Sequence, residues 1–130
     1  MSKSKVQMSN QTQSSNKNKM FDLVERTGRF GEDVIIFVKQ VKISVINESI
    51  IRQLIRSGTS IGANYMEADG AESKKDFMHK IGICKKEAKE TMHWLRMLAK
   101  AESTHSDSCR VLWKEAHEFA LIFSSIVRKK

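Results

Sequence analysis

Residues 47–70 read NESIIRQLIRSGTSIGANYMEADG, and this stretch decides the fold class. Asn47 is a good helix N-cap, and Glu48 is favourable in a first helical turn. Gly70 is placed to end the helix near Ala68. In between, apolar residues recur at the three- and four-residue spacing of one helix face: Ile50, Leu54, Ile61, Tyr65 and Ala68, flanked by Ile51 and Ile55. The stretch therefore predicts an amphipathic helix.

Two glycines, Gly58 and Gly62, flank the apolar face of this predicted helix. Glycine weakens a helix interior, and the usual compensation is the close approach of a neighbouring helix. We therefore expect another helix to pack tightly on this side.

The same spacing predicts three more helices, and the 130-residue chain contains no proline to interrupt them. The first should run from about Met20 to Lys42, where the β-branched stretch 43–46 makes the turn ambiguous. The core faces of the other helices are Leu23, Thr27, Phe30, Val34, Phe37, Val38 and Val41 in the first; Phe77, Ile81, Cys84, Ala88, Leu95 and Ala99 in the third; and Leu112, Ala116, Phe119, Ala120, Phe123, Ile126 and Val127 in the fourth.

Short connections join the four predicted helices. The third should open at Ser73, which forms with Asp76 a capping-box-like pair, and the fourth should be capped by Ser106 or Asp107. Short connections make consecutive helices antiparallel neighbours. The fold class is therefore all-α, an antiparallel up-down-up-down four-helix bundle over residues 20–130.

Residues 1–19 consist mainly of Ser, Lys, Asn and Gln, and we expect them to form a disordered basic tail. The chain carries a net charge of +8, which favours polyanionic partners. No apolar run approaches the roughly 20 residues of a membrane span, so no membrane partner is expected. Cys84 and Cys109 form no CxxC motif, and two buried thiols suit a cytoplasmic protein.

One face of the predicted third helix is basic, over an arc of about 120° at 100° per residue. Its members are Lys74, Lys75, Lys85, Lys86, Lys89 and Arg96. These residues are the candidate nucleic-acid-binding set, contacting phosphates without reading sequence. The alternative is that they only keep the protein soluble. No aromatic residue is interleaved, so stacking on single-stranded bases is not favoured.

A polar ladder runs along the predicted second helix, within an arc of about 80°. Its members are Gln53, Arg56, Ser60, Asn64 and Glu67. Gln, Ser and Asn suit a hydrogen-bonded subunit interface, in which Arg56 could pair with Glu67 of a neighbour. A solvated helix face is the alternative.

Several large apolar residues lie off the core stripes, and they predict a second, apolar subunit interface. They are Ile83, Trp94 and Met97 on the third helix, with Trp113 and Leu121 on the fourth. Packing at the edges of the bundle is the alternative.

Catalytic patterns are sparse. Residues 90–93 form an E-x-x-H motif, but a di-iron bundle needs two such motifs facing inward with two further glutamates. Here Glu90 and His93 lie off the core stripe, and the second E-x-x-H, at 102–105, falls in a loop. We therefore expect no metal, no cofactor and no enzymatic activity.

The order and spacing of residues on the second helix resemble a known family. The matching residues are Gln53-Leu54, Arg56-Ser57, Ser60-Ile61, Ala63-Asn64, Glu67, Gly70, Ser73 and Asp76-Phe77. They resemble the four helix bundle protein family, also called the large-subunit rRNA intervening-sequence protein family, over residues 20–128. The chain departs from the family at Ala71-Glu72, where Gly-Arg is frequent, and over residues 84–90, where many members have a small-residue segment.

The resemblance implies a homopentamer of four-helix bundles, some members being encoded within rRNA intervening sequences. A related family, the accessory variability determinant of diversity-generating retroelements, implies a basic surface that engages a reverse transcriptase and nucleic acid. The expected function is thus a non-enzymatic, homo-oligomeric scaffold or accessory protein, with RNA, DNA or a nucleic-acid enzyme such as a reverse transcriptase as partner. The alternative is a protein–protein interaction module with no nucleic-acid role.

Overall fold

The computed structural model describes residues 19–129, with side chains from Leu23 onward, and all regular structure in this range is helical. Four α-helices follow in chain order, with a 3₁₀ turn at Ser103–His105: α1, Lys19–Val38; α2, Glu48–Asp69; α3, Lys74–Ala101; and α4, Ser106–Arg128. The all-α, four-helix fold class is confirmed. The predicted tail lies outside the described residues, except for Lys19, which begins α1.

The core lies between the apolar stripes of the four helices, and each helix packs on the next one in the chain. Aromatic rings form its centre. The rings of Phe30 and Phe119 meet edge to face at 5.5 Å, and Phe123 lies 6.2 Å from Phe119 and 6.0 Å from Tyr65. Such pairs contribute about 1 kcal/mol beyond the area that they bury.

The predicted core residues are buried, with exceptions near helix ends. Residues in terminal turns have fewer neighbours, and five of the predicted core residues are only partly buried: Ile50, Phe77, Ala99, Ile126 and Val127. Thr91, Leu98 and Cys109 are buried instead. The apolar period therefore located the core correctly but overextended it.

Helices α1 and α2 cross at the two glycines singled out in the sequence. A Cβ on Gly62 would lie 3.2 Å from the carbonyl oxygen of Thr27, and a Cβ on Gly58 would lie 3.1 Å from Cγ2 of Val34. The expected close approach of a neighbouring helix is confirmed, and that neighbour is α1.

The connection from α1 to α2 is ordered by Asn47, which is fully buried. Its Oδ1 accepts from the Ser44 amide at 2.8 Å, and its Nδ2 donates to the Lys42 carbonyl at 3.0 Å and to Glu102 Oε2 at 2.7 Å. Asn47 thus joins the α1–α2 connection to the α3–α4 connection at one end of the bundle.

Three predictions about helix ends are corrected. Helix α1 ends at Val38 and not near Lys42, because the backbone amides of residues 40 and 41 donate to carbonyls three residues back and not four. Asn47 occupies the N-cap position of α2, but its side chain bonds the loop and not the helix amides. Helix α4 begins at Ser106 after His105, with no side-chain cap. At Ser73 the predicted cap is present, since its hydroxyl accepts from the Asp76 amide at 3.0 Å.

Candidate nucleic-acid interface

The six residues of the predicted basic arc lie on the outer face of α3. Five of them are exposed and Lys85 is half-buried. None of the six forms an ion pair within the part of the chain whose side chains are described. Lys100 is exposed on the same face and lies four residues after Arg96, a spacing that could have revealed it from sequence. With Lys100, the row of cations extends over about 39 Å at 1.5 Å per residue.

The acidic residues of α3 lie outside this basic face. At 100° per residue, Asp76, Glu87 and Glu90 all fall beyond the arc of about 120° that contains the cations. The helix therefore separates its charges by sign around its axis.

An interhelical ion-pair group, which we call the α2–α3 seam, holds two of these acids, Glu87 and Glu90, against α2. Arg56 Nη1 lies 3.2 Å from Glu87 Oε1, and the Arg56 guanidinium also binds Glu90. In the other direction, Lys80 Nζ of α3 binds Glu67 Oε1 of α2 at 2.6 Å. Glu87 and Glu90 are thus paired with α2, and neither forms an ion pair with a cation of the basic arc.

Hydrogen bonds keep the seam charged. The Trp94 indole N–H donates to Glu90 Oε2 at 3.1 Å, and this bond, together with Arg56, lowers the pKa of Glu90. The bond to Glu90 in turn raises the pKa of Arg56, and the bond to Glu67 raises the pKa of Lys80. Each charged form is therefore favoured at neutral pH.

Acid should weaken the seam. A carboxylate with a lowered pKa contributes stability above its ordinary pKa of 4.5, and that stability is lost as the pH falls through the folded-state value. Replacing Glu90 with glutamine should reduce stability at pH 7 by up to about 1 kcal/mol, and the deficit should shrink at pH 3. Urea unfolding of both proteins at the two pH values measures this difference. Glu25→Gln, at a surface pair with Arg29 within α1, is the control and should change stability little.

The predicted polar ladder lies beside this seam. Arg56 Nε donates to Gln53 Oε1 at 3.1 Å, whereas Ser60 and Asn64 donate to backbone carbonyls one turn earlier. Arg56 and Glu67 both have partners on α3 of their own chain, so the charge pairing proposed between subunits is already met within one copy. The ladder's role as a subunit interface stays a prediction.

The predicted apolar interface is mostly half-buried. Leu121 alone among its five members is exposed, while Ile83, Trp94, Met97 and Trp113 are partly covered. Seven further large apolar residues are exposed, and sequence reasoning does not propose them for an interface: Ile35, Ile36, Ile43, Val45, Ile46, Met66 and Val111. The β-branched residues Ile43, Val45 and Ile46 are the available signal, but the sequence alone indicates only an ambiguous turn there.

The thiols and the two E-x-x-H motifs are engaged in structural contacts. Burial raises the pKa of Cys84 to about 12 and that of Cys109 to about 11, which disfavours the reactive thiolate. Glu90 belongs to the seam, and Glu102 accepts from Asn47. Among the described residues, no group of three or more His, Cys, Asp or Glu side chains could hold a metal ion, and no helix is long and apolar enough to cross a bilayer.

Comparisons with known proteins agree with this architecture. The family model "23S rRNA-intervening sequence protein" matches residues 19–125. A solved structure from Bacteroides thetaiotaomicron, a protein of unknown function from the S23 ribosomal protein family, is similar with a TM-score of 0.72 and 31% identity, covering 85% of this chain and 98% of its own. Among curated proteins, none matches the chain. The chain therefore belongs to the 23S rRNA-intervening sequence protein family.

Proposed function

We propose that this protein is a non-enzymatic, self-associating helical accessory protein that binds nucleic acid through the basic arc of α3. The observation that carries this proposal is the separation of charge on α3. Two of its three acids, Glu87 and Glu90, are paired with α2 in the seam, while the cations of the basic arc are outward-facing and unpaired within the described residues. A row of such cations suits a phosphate backbone, which it would contact without reading the bases.

Two further points support the proposal. The family's name connects it with ribosomal RNA. A homo-oligomer, for which we propose a pentamer, would repeat the basic arc around a ring, and linked sites bind more tightly than one site alone. The partner would then be RNA, DNA, or a ribonucleoprotein enzyme such as a reverse transcriptase with its bound nucleic acid.

A protein–protein interaction module is the second candidate. The exposed apolar residues of the α1–α2 connection and of α4 favour it, because apolar groups exposed together mark binding surfaces. In that case the basic arc would serve only solubility, and binding to nucleic acid would be absent at low salt.

Neutralising the basic arc should weaken binding to nucleic acid. Replacing Lys85, Lys86 and Lys89 together with glutamine removes three phosphate contacts, and each contact adds about −0.9 to the log–log salt slope on duplex DNA. We therefore expect lower affinity and a slope flatter by up to about 2.7, with unchanged helical content. Fluorescence anisotropy over a salt series measures both quantities, with duplexes of different sequence as ligands.

Two controls isolate the arc. Replacing Lys114, Arg128 and Lys129 with glutamine removes the same charge from exposed positions on α4 and at its C-terminal end, and it should change the slope less. Deleting residues 1–18 removes the lysines that precede α1. If this deletion abolishes binding while the triple change in the arc has no effect, the folded domain is not the nucleic-acid surface.

A further inference from the structure

Three exposed side chains, Ile43, Val45 and Ile46, project from the connection between α1 and α2, and we call them the apolar loop. Their exposed fractions are 56%, 96% and 70%. Such exposure of neighbouring β-branched residues is unfavourable in water unless another surface covers them. The apolar loop is therefore the most conspicuous unpartnered apolar feature in the described part of the chain.

The apolar loop is held rigidly. Ser44 and Asn47 lie on either side of Val45 and Ile46 and are joined by two hydrogen bonds. The Ser44 backbone N–H donates to Asn47 Oδ1, and the Asn47 backbone N–H donates to Ser44 Oγ at 3.2 Å. The bond from Asn47 to Glu102 then ties the loop to the α3–α4 connection. A loop ordered in advance loses little entropy on binding, so this rigidity favours a docking role.

A concave apolar surface lies elsewhere on the same molecule, along the outer side of the α1–α2 crossing, and we call it the α1–α2 groove. Small residues form its floor and two exposed apolar side chains stand at its rim: Gly28, Gly31, Gly62 and Ala63, with Ile35 and Met66. Its volume is about 320 Å³. Because the Asn47 bonds hold the apolar loop at the end of the bundle, the loop of one copy cannot fold back into its own groove.

The charges beside the two surfaces are complementary. Lys39 and Lys42 flank the apolar loop, and Glu32 lines the α1–α2 groove. All three are exposed, and none forms an ion pair with another described side chain. Opposite charges around an apolar contact fix its register and disfavour other partners.

We propose that the apolar loop of one copy docks in the α1–α2 groove of a second copy, with Lys42 or Lys39 facing Glu32. This inference rests on the self-association in the proposed function and names the surfaces that produce it. The contact joins different patches on the two copies, so an open chain of copies keeps one free loop at one end and one free groove at the other until a ring closes. The basic arc lies on α3, which contributes to neither surface, and so it stays available in the assembly.

Two variants separate the two halves of the contact. The loop variant carries Val45→Gln and Ile46→Gln. The groove variant carries Gly28→Gln, which fills the groove without disturbing the fold, because a Cβ on Gly28 meets no atom within 4 Å. Gly82→Gln is the matched control, since Gly82 is equally open but lies on α3. Circular dichroism verifies that every variant is folded.

The decisive measurement is light scattering of the full chain, of each variant, and of a mixture of the loop and groove variants. All samples have the same protein concentration, in the micromolar range. The wild type and Gly82→Gln should assemble, and the loop and groove variants alone should each be monomers of 14.9 kDa. Their equimolar mixture should give a dimer and nothing larger, because one intact loop meets one intact groove.

Other results would overturn the inference in distinguishable ways. If the wild type, the loop variant and the groove variant all assemble, the proposed interface is ruled out but self-association is not. Monomeric variants whose mixture stays monomeric would show that the loop and the groove do not contact each other. A monomeric wild type would refute self-association itself. If Leu121→Gln alone blocks assembly, the interface runs through α4 instead.

Discussion

Replacing Gly62 with leucine is expected to destabilise the bundle by about 3 kcal/mol or more. The first added carbon would already lie 3.2 Å from the Thr27 carbonyl oxygen and 3.4 Å from the Gly28 nitrogen. These are backbone atoms that cannot rotate away, so α1 would have to move off α2. Urea unfolding at fixed protein concentration, followed by circular dichroism, measures the change.

Gly82→Leu is the matched control for this substitution. A Cβ on Gly82 meets no atom within 4 Å, and leucine is a better helix former than glycine. This variant should therefore be as stable as the wild type, or more stable by up to about 1 kcal/mol. If Gly62→Leu were tolerated as well as Gly82→Leu, the α1–α2 crossing would be looser than in the structure.

Replacing Asn47 with alanine is expected to lower the free energy of unfolding by about 3 kcal/mol. The change removes bonds from Asn47 to Ser44, Lys42 and Glu102, and one of these partners is a carboxylate. Each neutral bond contributes about 1 kcal/mol and a charged one somewhat more. The unfolding midpoint in urea should fall accordingly, and protease cleavage in the 39–47 connection should become faster.

Asn64→Ala is the comparison that isolates the position from the residue type. Asn64 is half-buried within α2, its one side-chain bond among the described residues is to the Ser60 carbonyl, and alanine is a better helix former. Its replacement should alter stability by less than about 1 kcal/mol. If Asn47→Ala were as mild as Asn64→Ala, the buried hydrogen bonds of Asn47 would contribute little to holding the two connections together.

Arg56 has different partners from the one that its sequence context suggests. Its polar neighbours on α2 suggest a contact with another subunit, but in the structure it pairs with Glu87 and Glu90 of α3. Those acids lie more than thirty residues away in the sequence, so no local pattern indicates the pairing. Only the rotation of α3 about its own axis, set by its buried stripe, turns them toward α2.

The exposed apolar residues illustrate the same limitation. Trp94 and Trp113 lie off the core stripes by helical period, yet both are partly covered, because large side chains reach back over the edge of the core. Val45 and Ile46 belong to a strongly apolar run, yet they point into solvent. Helical periodicity cannot predict which side chains are exposed in the 39–47 connection, because the backbone there is not helical. The hydrogen bonds of Asn47 fix the backbone and so determine which side chains face outward.

By itself, the sequence determined the features that depend on local spacing. These are the four helices, their core faces, the close approach at Gly58 and Gly62, and the basic face of α3, since a 3.6-residue period places each residue on its helix from sequence number alone. The tertiary structure alone decided the pairing in the α2–α3 seam, the bonds of Asn47 to the two connections, and the positions of the apolar loop and the α1–α2 groove. Each of these features either joins residues that are far apart in sequence or positions residues that lie in irregular backbone. Each therefore depends on how whole helices pack.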